Sequence, residues 1–283
     1  DPGPIHYNIP LHEPLYNMVE AFDKKNRIFL QKPIMSQLSH ENAETMASAL
    51  SLSKKVMIIV GQLSDQDGLL DLLIGINAHT QVVVLTATLS NMYHASFIGC
   101  IDRCITGLTD EEIGGLMPDI LITIGDAVVS KRIKSALRKF KPVEHWNIHP
   151  FDSRTDTYQS LTQAVPLNPA VFFQQIIHQV TSNHSGYQEK WKDLDKRRRN
   201  RHQWFVNRCE YSDLYVFGRI FSALKEGSNL HIANSSPVRY AQLFDDSYRV
   251  KMHCNRGTSG IEGCTSTAMG SAAASVDKSF IHI

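Results

Sequence analysis

Residues 119–140 read DILITIGDAVVSKRIKSALRKF, which is a β-branched run, a polar turn and a helical pattern in succession. Two further β-branched runs, KVMIIVGQLS (55–64) and QVVVLTATLS (81–90), and a fourth strand-like segment, VEHWNIHP (143–150), share this arrangement. Helical patterns separate these segments, and strands that alternate with helices indicate βαβ units. We therefore predict an α/β domain over residues 21–165, with a parallel sheet covered on both faces.

The remaining segments suggest three further parts. Residues 1–20 contain four prolines and are predicted to be a tail, since proline interrupts helices. Residues 166–203 have helical spacing and are predicted to form a helical linker. Residues 204–283 contain a second set of strand and helix patterns, which end in an apolar, strand-like run that stops without a turn. We expect this last unit to be truncated and the chain to be a fragment of a longer protein.

Composition excludes some classes of function. Lys and Arg number 29 against 28 for Asp and Glu, so the overall charge does not favour nucleic acid as a partner. No apolar run reaches the roughly 18 residues of a membrane span. Five cysteines indicate a reducing, cytoplasmic location, and Cys100 and Cys104 are expected to be buried thiols rather than metal ligands. The basic run KRRRNRH (196–202) is interpreted as a solvated helix face, with a phosphate-binding patch as the alternative.

Three predicted turns between a strand and a helix contain cationic, serine or glycine residues. In open α/β sheets, ligands bind outside the carboxyl ends of the strands, close to helix N-termini. Each turn also has a plain structural explanation: a solvated Lys-Arg pair, a serine that caps a helix, or glycines that permit close packing. Together the turns predict a ligand with several negative charges. They are IGDAVVSKR (124–132), ANSSPVR (233–239) and NRGTSGIEG (255–263).

These turns, with GPIHYNIPLHEPLY (3–16), resemble a family of thiamin-diphosphate enzymes, the menaquinone-pathway MenD synthases. The resemblance covers nearly the whole chain and is most specific over residues 255–270, although Glu262 stands where the family more often has aspartate. It implies a Rossmann-like parallel-sheet middle domain followed by an incomplete thiamin-diphosphate-binding α/β domain. The implied enzyme is a transferase that uses thiamin diphosphate and Mg²⁺. It decarboxylates 2-oxoglutarate and joins the succinyl unit to isochorismate, as a homodimer or homotetramer with no nucleic-acid or membrane partner.

The resemblance also implies substrate-binding residues. Arg239 and Arg256 would bind carboxylates of the two substrates, since bidentate arginine suits a carboxylate. Lys131 and Arg132 would reach toward the same carboxylates from the middle domain. Ser235 would lie near the reacting groups.

The implied cofactor residues lie in the glycine-rich turn. Ile261 would be the apolar wedge that bends thiamin diphosphate, Ser259 would flank the aminopyrimidine, and Gly260 would let the backbone approach. The family's magnesium ligands would follow Ile283 and its catalytic glutamate would precede Asp1, so no metal or catalytic residue is assigned within the chain. We expect the chain alone to be inactive and not to bind thiamin diphosphate measurably.

Two alternatives stay open. Other thiamin-diphosphate enzymes, of the acetolactate synthase type, share the implied domain order but act on substrates with fewer carboxylates. A non-catalytic Rossmann-like module that binds a nucleotide or another anion is the second, although IVGQLSDQDG (59–68) lacks the usual dinucleotide-binding glycines.

Overall fold

The computed structural model describes six segments of the chain, all within a compact unit formed by Lys32–Ile283. The predicted tail (1–20) and Ser259 lie outside the described residues. Within the described ranges, no helix has both the length and the apolar composition that a bilayer-crossing segment needs. The described residues are 35–63, 68–151, 154–245, 250–257, 260–275 and 280–283.

The first sheet has five parallel strands and confirms the predicted α/β class. The spatial order of the strands is β2-β1-β3-β4-β5. Strand β2 therefore lies on one side of β1, and β3, β4 and β5 follow on the other side. The first three strands are buried five-residue segments that are apolar apart from Thr86 and Thr123, as expected where helices cover both faces. The strands are β1 (Val56–Val60), β2 (Val82–Thr86), β3 (Ile120–Ile124), β4 (Glu144–His149) and β5 (Gln163–Pro166).

Helices cover both faces of this sheet because alternate strand residues point in opposite directions. Val56, Ile58 and Val60 belong to a core shared with α1 (His40–Leu52), α2 (Leu69–Ile76) and α6 (Pro169–Ile176). Met57 and Ile59 belong to a second core on the opposite face. The helices of that second face are α3 (Ile101–Ile105), α4 (Asp110–Leu116), α5 (Lys131–Lys139) and α7 (Tyr187–Val206).

The second sheet has three short parallel strands in the order β7-β6-β8. Its core contains Phe221, Leu230 and Met252, all at most 1% exposed. Its strands are β6 (Asn229–His231), β7 (Lys251–His253) and β8 (Phe280–His282), and its helices are α8 (Asp213–Ala223), α9 (Ser236–Ala241) and α10 (Cys264–Ala273).

Helix α8 ends four residues before Gly227. The helix ends at Ala223 because Leu224 adopts an extended backbone (ψ 134°) and buries its side chain in the core of the second sheet. Gly227 instead occupies the turn before β6, where its φ of +79° favours glycine.

Polar contacts connect the helices and loops around the two sheets. Asn91, which follows a 3-10 helix at Thr88–Ser90, donates to the carbonyl of Met252 (3.1 Å) and accepts from its N–H (2.8 Å). Arg103 of α3 binds Asp195 of α7 and Asp245, just beyond α9, through its two terminal nitrogens (2.5–2.9 Å). Helix α7 therefore packs on the first sheet and is tied to the second.

Candidate anion-binding site

The first cationic turn begins helix α5. Ser130 is its N-cap: the hydroxyl accepts from the N–H of Ile133 (3.1 Å) and donates to the carboxylate of Asp102. Lys131 and Arg132 are the first two helical residues, and both are exposed. Burial raises the pKa of Asp102, while the Ser130 hydrogen bond and the charges of Arg132 and Arg239 act in the opposite direction. Asp102 therefore lies within electrostatic reach of both α5 and α9.

The second turn links β6 to α9 through an unusual backbone conformation. Ser235 has a φ of +73°, which is rare for a residue with a Cβ and is often found at ligand sites. It occupies the N-cap position, yet its side chain makes no capping hydrogen bond with the described residues. The interpretation of this serine as a helix cap is therefore not supported, and its exposed hydroxyl is available to a ligand.

Asn234 holds the second and third turns together. It is 4% exposed, and its Nδ2 donates to the carbonyls of Asn255 (2.7 Å) and Gly260 (2.6 Å). Its Oδ1 accepts from Nη1 of Arg256 (2.6 Å) and from the thiol of Cys254 (3.2 Å). The role of Asn234 is not evident in the sequence, because an asparagine at the end of a strand is equally typical of an ordinary helix cap.

The third turn leads into helix α10 at Gly263, whose φ of +79° favours glycine. A side chain at Gly257 would meet nothing within 4 Å, so close packing within the described structure does not explain this glycine. Gly260 is half-buried, whereas Ile261 is 67% exposed. A large aliphatic side chain on an exposed glycine-rich turn, next to a small-residue helix, fits contact with an apolar ring of a cofactor.

Lys131, Arg132 and Arg239 line one cavity of about 760 Å³. Its other cationic lining residues are Arg103 of α3 and Arg198 and Arg201 of α7. Among the described lining residues, Asp102 contributes the one carboxylate, so the cavity has a large excess of positive charge. The aromatic side chains that line it are His202, Trp204, Phe205 and Tyr240.

Arg256 faces a different cavity, of about 310 Å³, at the carboxyl ends of β3 and β4. Lys134 and Asp126 also line it. The pKa of Lys134 is lowered, first by burial and then by the nearby positive charges of Arg256, Arg138 and Lys131. The structure therefore brings Lys131, Arg132 and Arg239 together and places Arg256 beside Lys134.

His145 forms a neutral polar network in the wall of this smaller cavity. Thr123 donates its single hydroxyl hydrogen to Asn147 (3.0 Å), so it accepts from Nε2 of His145 (3.0 Å). Nδ1 of the imidazole then accepts from Ser160 (3.3 Å). Burial lowers the pKa of His145 to about 4, opposed by the charge of Asp156.

The cavity lined by Lys131, Arg132 and Arg239 has the excess of positive charge that an anionic ligand would need. Residues 15–232 match the family described as "Middle domain of thiamine pyrophosphate", and the chain belongs to this family. The expected membership in the thiamin-diphosphate enzymes is thereby confirmed.

The chain is similar to proteins named 2-succinyl-5-enolpyruvyl-6-hydroxy-3-cyclohexene-1-carboxylate synthase, as its turns predict. The relative from Flavobacterium psychrophilum is 39% identical over 278 residues, which cover 96% of this chain and 49% of that protein. The relative from Flavobacterium johnsoniae is 36% identical with the same coverage, and that from Bacteroides thetaiotaomicron is 33% identical over 99% of this chain and 49% of that protein. The chain thus spans about half the length of these relatives.

Proposed function

We propose that the protein to which this chain belongs decarboxylates 2-oxoglutarate and transfers the succinyl unit to isochorismate, using thiamin diphosphate. The relatives' shared name supports this reaction, and membership in the thiamine-pyrophosphate family supports the cofactor. The observation that carries the proposal is the single cavity lined by Lys131 and Arg132 of α5, beside the first sheet, and by Arg239 of α9, beside the second. Both proposed substrates are dianions, and such a cavity neutralises their charge.

In this proposal the cations orient carboxylates. Arg239 and Arg132 bind them through parallel N–H bonds, while Lys131 acts as a point charge. Arg256 is positioned by its bond to Asn234 and approaches from the glycine-rich turn. The hydroxyl of Ser235, which the strained backbone leaves exposed, contacts the reacting end of the substrate.

Thiamin diphosphate supplies the electron sink for decarboxylation when it is bound. The residues of this chain that would hold it are Ile261, whose side chain is exposed, and its sequence neighbours Gly260 and Ser259. Asn234 fixes that turn by binding the carbonyl of Gly260 (2.6 Å). The chain's contribution is therefore to shape the turn and exclude water from the apolar contact.

The proposal extends to the organisation of the protein. Residues 1–20 end a pyrimidine-binding domain and 21–165 form the middle domain. Residues 166–203 link the domains while their helices pack on the first sheet, and 204–283 begin the diphosphate-binding domain. The complete protein is a cytoplasmic homodimer or homotetramer that uses Mg²⁺, and the chain alone is inactive.

Turnover by the full-length protein tests the proposal. With thiamin diphosphate, Mg²⁺, 2-oxoglutarate and isochorismate, we expect loss of isochorismate in the wild type. Arg239→Gln should lower kcat/KM by roughly 10- to 100-fold, because a hydrogen bond to a charged group contributes about 1.5–3 kcal/mol. Arg219→Gln is the matched control, since Arg219 is an exposed residue of α8 that does not line the cavity.

Other outcomes would overturn the proposal. Consumption of pyruvate with isochorismate untouched would assign the protein to the acetolactate synthase type. No thiamin-dependent turnover of any 2-oxo acid would leave an anion-binding module. An Arg239→Gln protein as active as the Arg219→Gln control would remove the cavity from the substrate site.

A further inference from the structure

Helix α7 contributes one continuous wall to the 760 Å³ cavity. Arg198, Arg201 and His202 line it with spacings of three and four residues, which place side chains on one helical face. Trp204 and Phe205 continue that wall toward the end of the helix. The basic run that the sequence suggested to be a solvated face therefore borders the same cavity as Lys131, Arg132 and Arg239.

The basic run divides into two roles. Arg199 is structural: it binds Asp195 (2.8 Å) and reaches Asp245 (3.4 Å). In contrast, neither Arg198 nor Arg201 has a carboxylate oxygen within 4.0 Å in the part of the chain that the structure describes, although Glu112 is within electrostatic reach of Arg198. Their charges are thus not neutralised by a direct ion pair with these residues.

The cavity wall also contains buried polar atoms that lack a partner. Nε of Arg103 and Nε2 of His202 are shielded from solvent and form no hydrogen bond with the described residues. Arg103 is 6% exposed, and both residues line the cavity. Because an unsatisfied buried polar atom costs free energy, a ligand with several acceptor oxygens would be favoured here.

The size and lining of the cavity indicate which substrate it takes. Five cations (Lys131, Arg132, Arg198, Arg201 and Arg239), apart from Arg103, face a single carboxylate among its described lining residues, so the ligand is polyanionic. Its volume is ample for a ring, and aromatic side chains offer flat apolar contacts. Gly260 and Ile261 do not line it, so the cavity suits the substrate that extends away from the cofactor turn.

We propose that Arg198 and Arg201 bind a carboxylate of the larger, cyclic dianionic substrate, isochorismate, and set specificity for it. This inference rests on the proposed function. It assigns α7, and not only the turns at the strand ends, to the substrate site.

The test is a kinetic comparison of full-length Arg198→Gln and Arg201→Gln with Arg197→Gln. Arg197 is the matched control: it is an exposed arginine on the same helix that does not line the cavity. Loss of a charged hydrogen bond should raise KM for isochorismate about 10- to 100-fold in each cavity variant. KM for 2-oxoglutarate should stay within about twofold and kcat should change little, because contacts kept throughout the reaction affect KM alone.

Two measurements separate this inference from the proposed function. If the wild type turns over isochorismate and the cavity variants match Arg197→Gln, or if KM for 2-oxoglutarate rises instead, the inference is wrong and the function stands. If there is no turnover, calorimetric titration of the same proteins with isochorismate decides. Binding weakened by Arg201→Gln but not by Arg197→Gln would support the inference without the reaction, and no binding to the wild type would overturn both.

Discussion

Replacing Arg103 with methionine would remove the ion pair that connects helices α3 and α7 with the loop after α9. The Arg103 side chain is 4% exposed and makes three short contacts, two with Asp245 (2.5 and 2.9 Å) and one with Asp195 (2.9 Å). Burial alone would lower the pKa of Arg103, but its carboxylate partners raise the pKa further than burial lowers it. Methionine fills a similar volume without charge, so the variant isolates the electrostatic loss from the packing loss.

The expected loss of unfolding free energy depends on how well Asp195 and Asp245 stay neutralised or solvated without Arg103. Removing one partner of a buried ion pair costs about 3–5 kcal/mol, because the remaining charge is buried without compensation. Asp195 keeps Arg199 at 2.8 Å, and the side chain of Asp245 is 37% exposed, so both are partly compensated. We therefore expect the lower end, about 3 kcal/mol of unfolding free energy, measured by urea denaturation and far-UV circular dichroism.

Arg199→Met is the matched control for Arg103→Met. Its side chain is 45% exposed and contacts the same two carboxylates, so its loss should cost no more than about 1 kcal/mol. The double variant Arg103→Met/Asp195→Leu should be more stable than Arg103→Met, since it also removes a buried charge. Equal stabilities of Arg103→Met and Arg199→Met, or a double variant less stable than the single one, would refute the reasoning.

The remaining predictions concern the folded state of the first sheet. The lowered pKa of His145 means that the folded state favours the neutral imidazole. Its contribution to the free energy of unfolding is therefore complete above the unfolded pKa of about 6.5 and is lost as pH falls toward about 4. The wild type should lose about 3 kcal/mol of unfolding free energy between these pH values, and His145→Gln should not. Urea denaturation at several pH values would measure this, and an equal pH dependence of stability in the two proteins would contradict it. Gly61→Ala should destabilise by about 1–3 kcal/mol because its Cβ would collide with the backbone carbonyl of Asp126. Gly115 lies on α4 with open space around its Cα, so Gly115→Ala should stabilise the fold by about 0.5–1 kcal/mol. Thermal melts should therefore shift the Tm of the two variants in opposite directions, and shifts in the same direction would contradict both predictions.

Much of the fold follows from local patterns in the sequence. Within residues 119–140, the predicted strand lies at Ile120–Ile124 and the predicted helix at Lys131–Lys139, because a β-branched run and a capped amphipathic pattern are both local signals. Strand β5 had no such signal: its four residues, QAVP, include one β-branched side chain and end in proline. It forms because β4 offers an edge with which to pair, which is a property of the assembled sheet.

The candidate site was predictable only where its residues lie on turns between strands and helices. Lys131, Arg132 and Arg239 stand at such positions, and the structure brings them to one cavity. Arg198 and Arg201 could not be assigned in this way, because in the sequence they are indistinguishable from Arg197 and Arg199. Only the packing of α7 on the first sheet, through residues such as Trp191, determines which arginines face the cavity.

The amide of Asn91 also occupies the outer side of strand β7 in the described structure. Strand β7 lies at the edge of its sheet, and such an edge can recruit a strand from another molecule. The Asn91 amide occupies both the N–H and the carbonyl of Met252, as a neighbouring backbone would. An incoming strand would have to displace a side chain anchored in another layer of the same molecule, which favours the folded chain over fibrous aggregates.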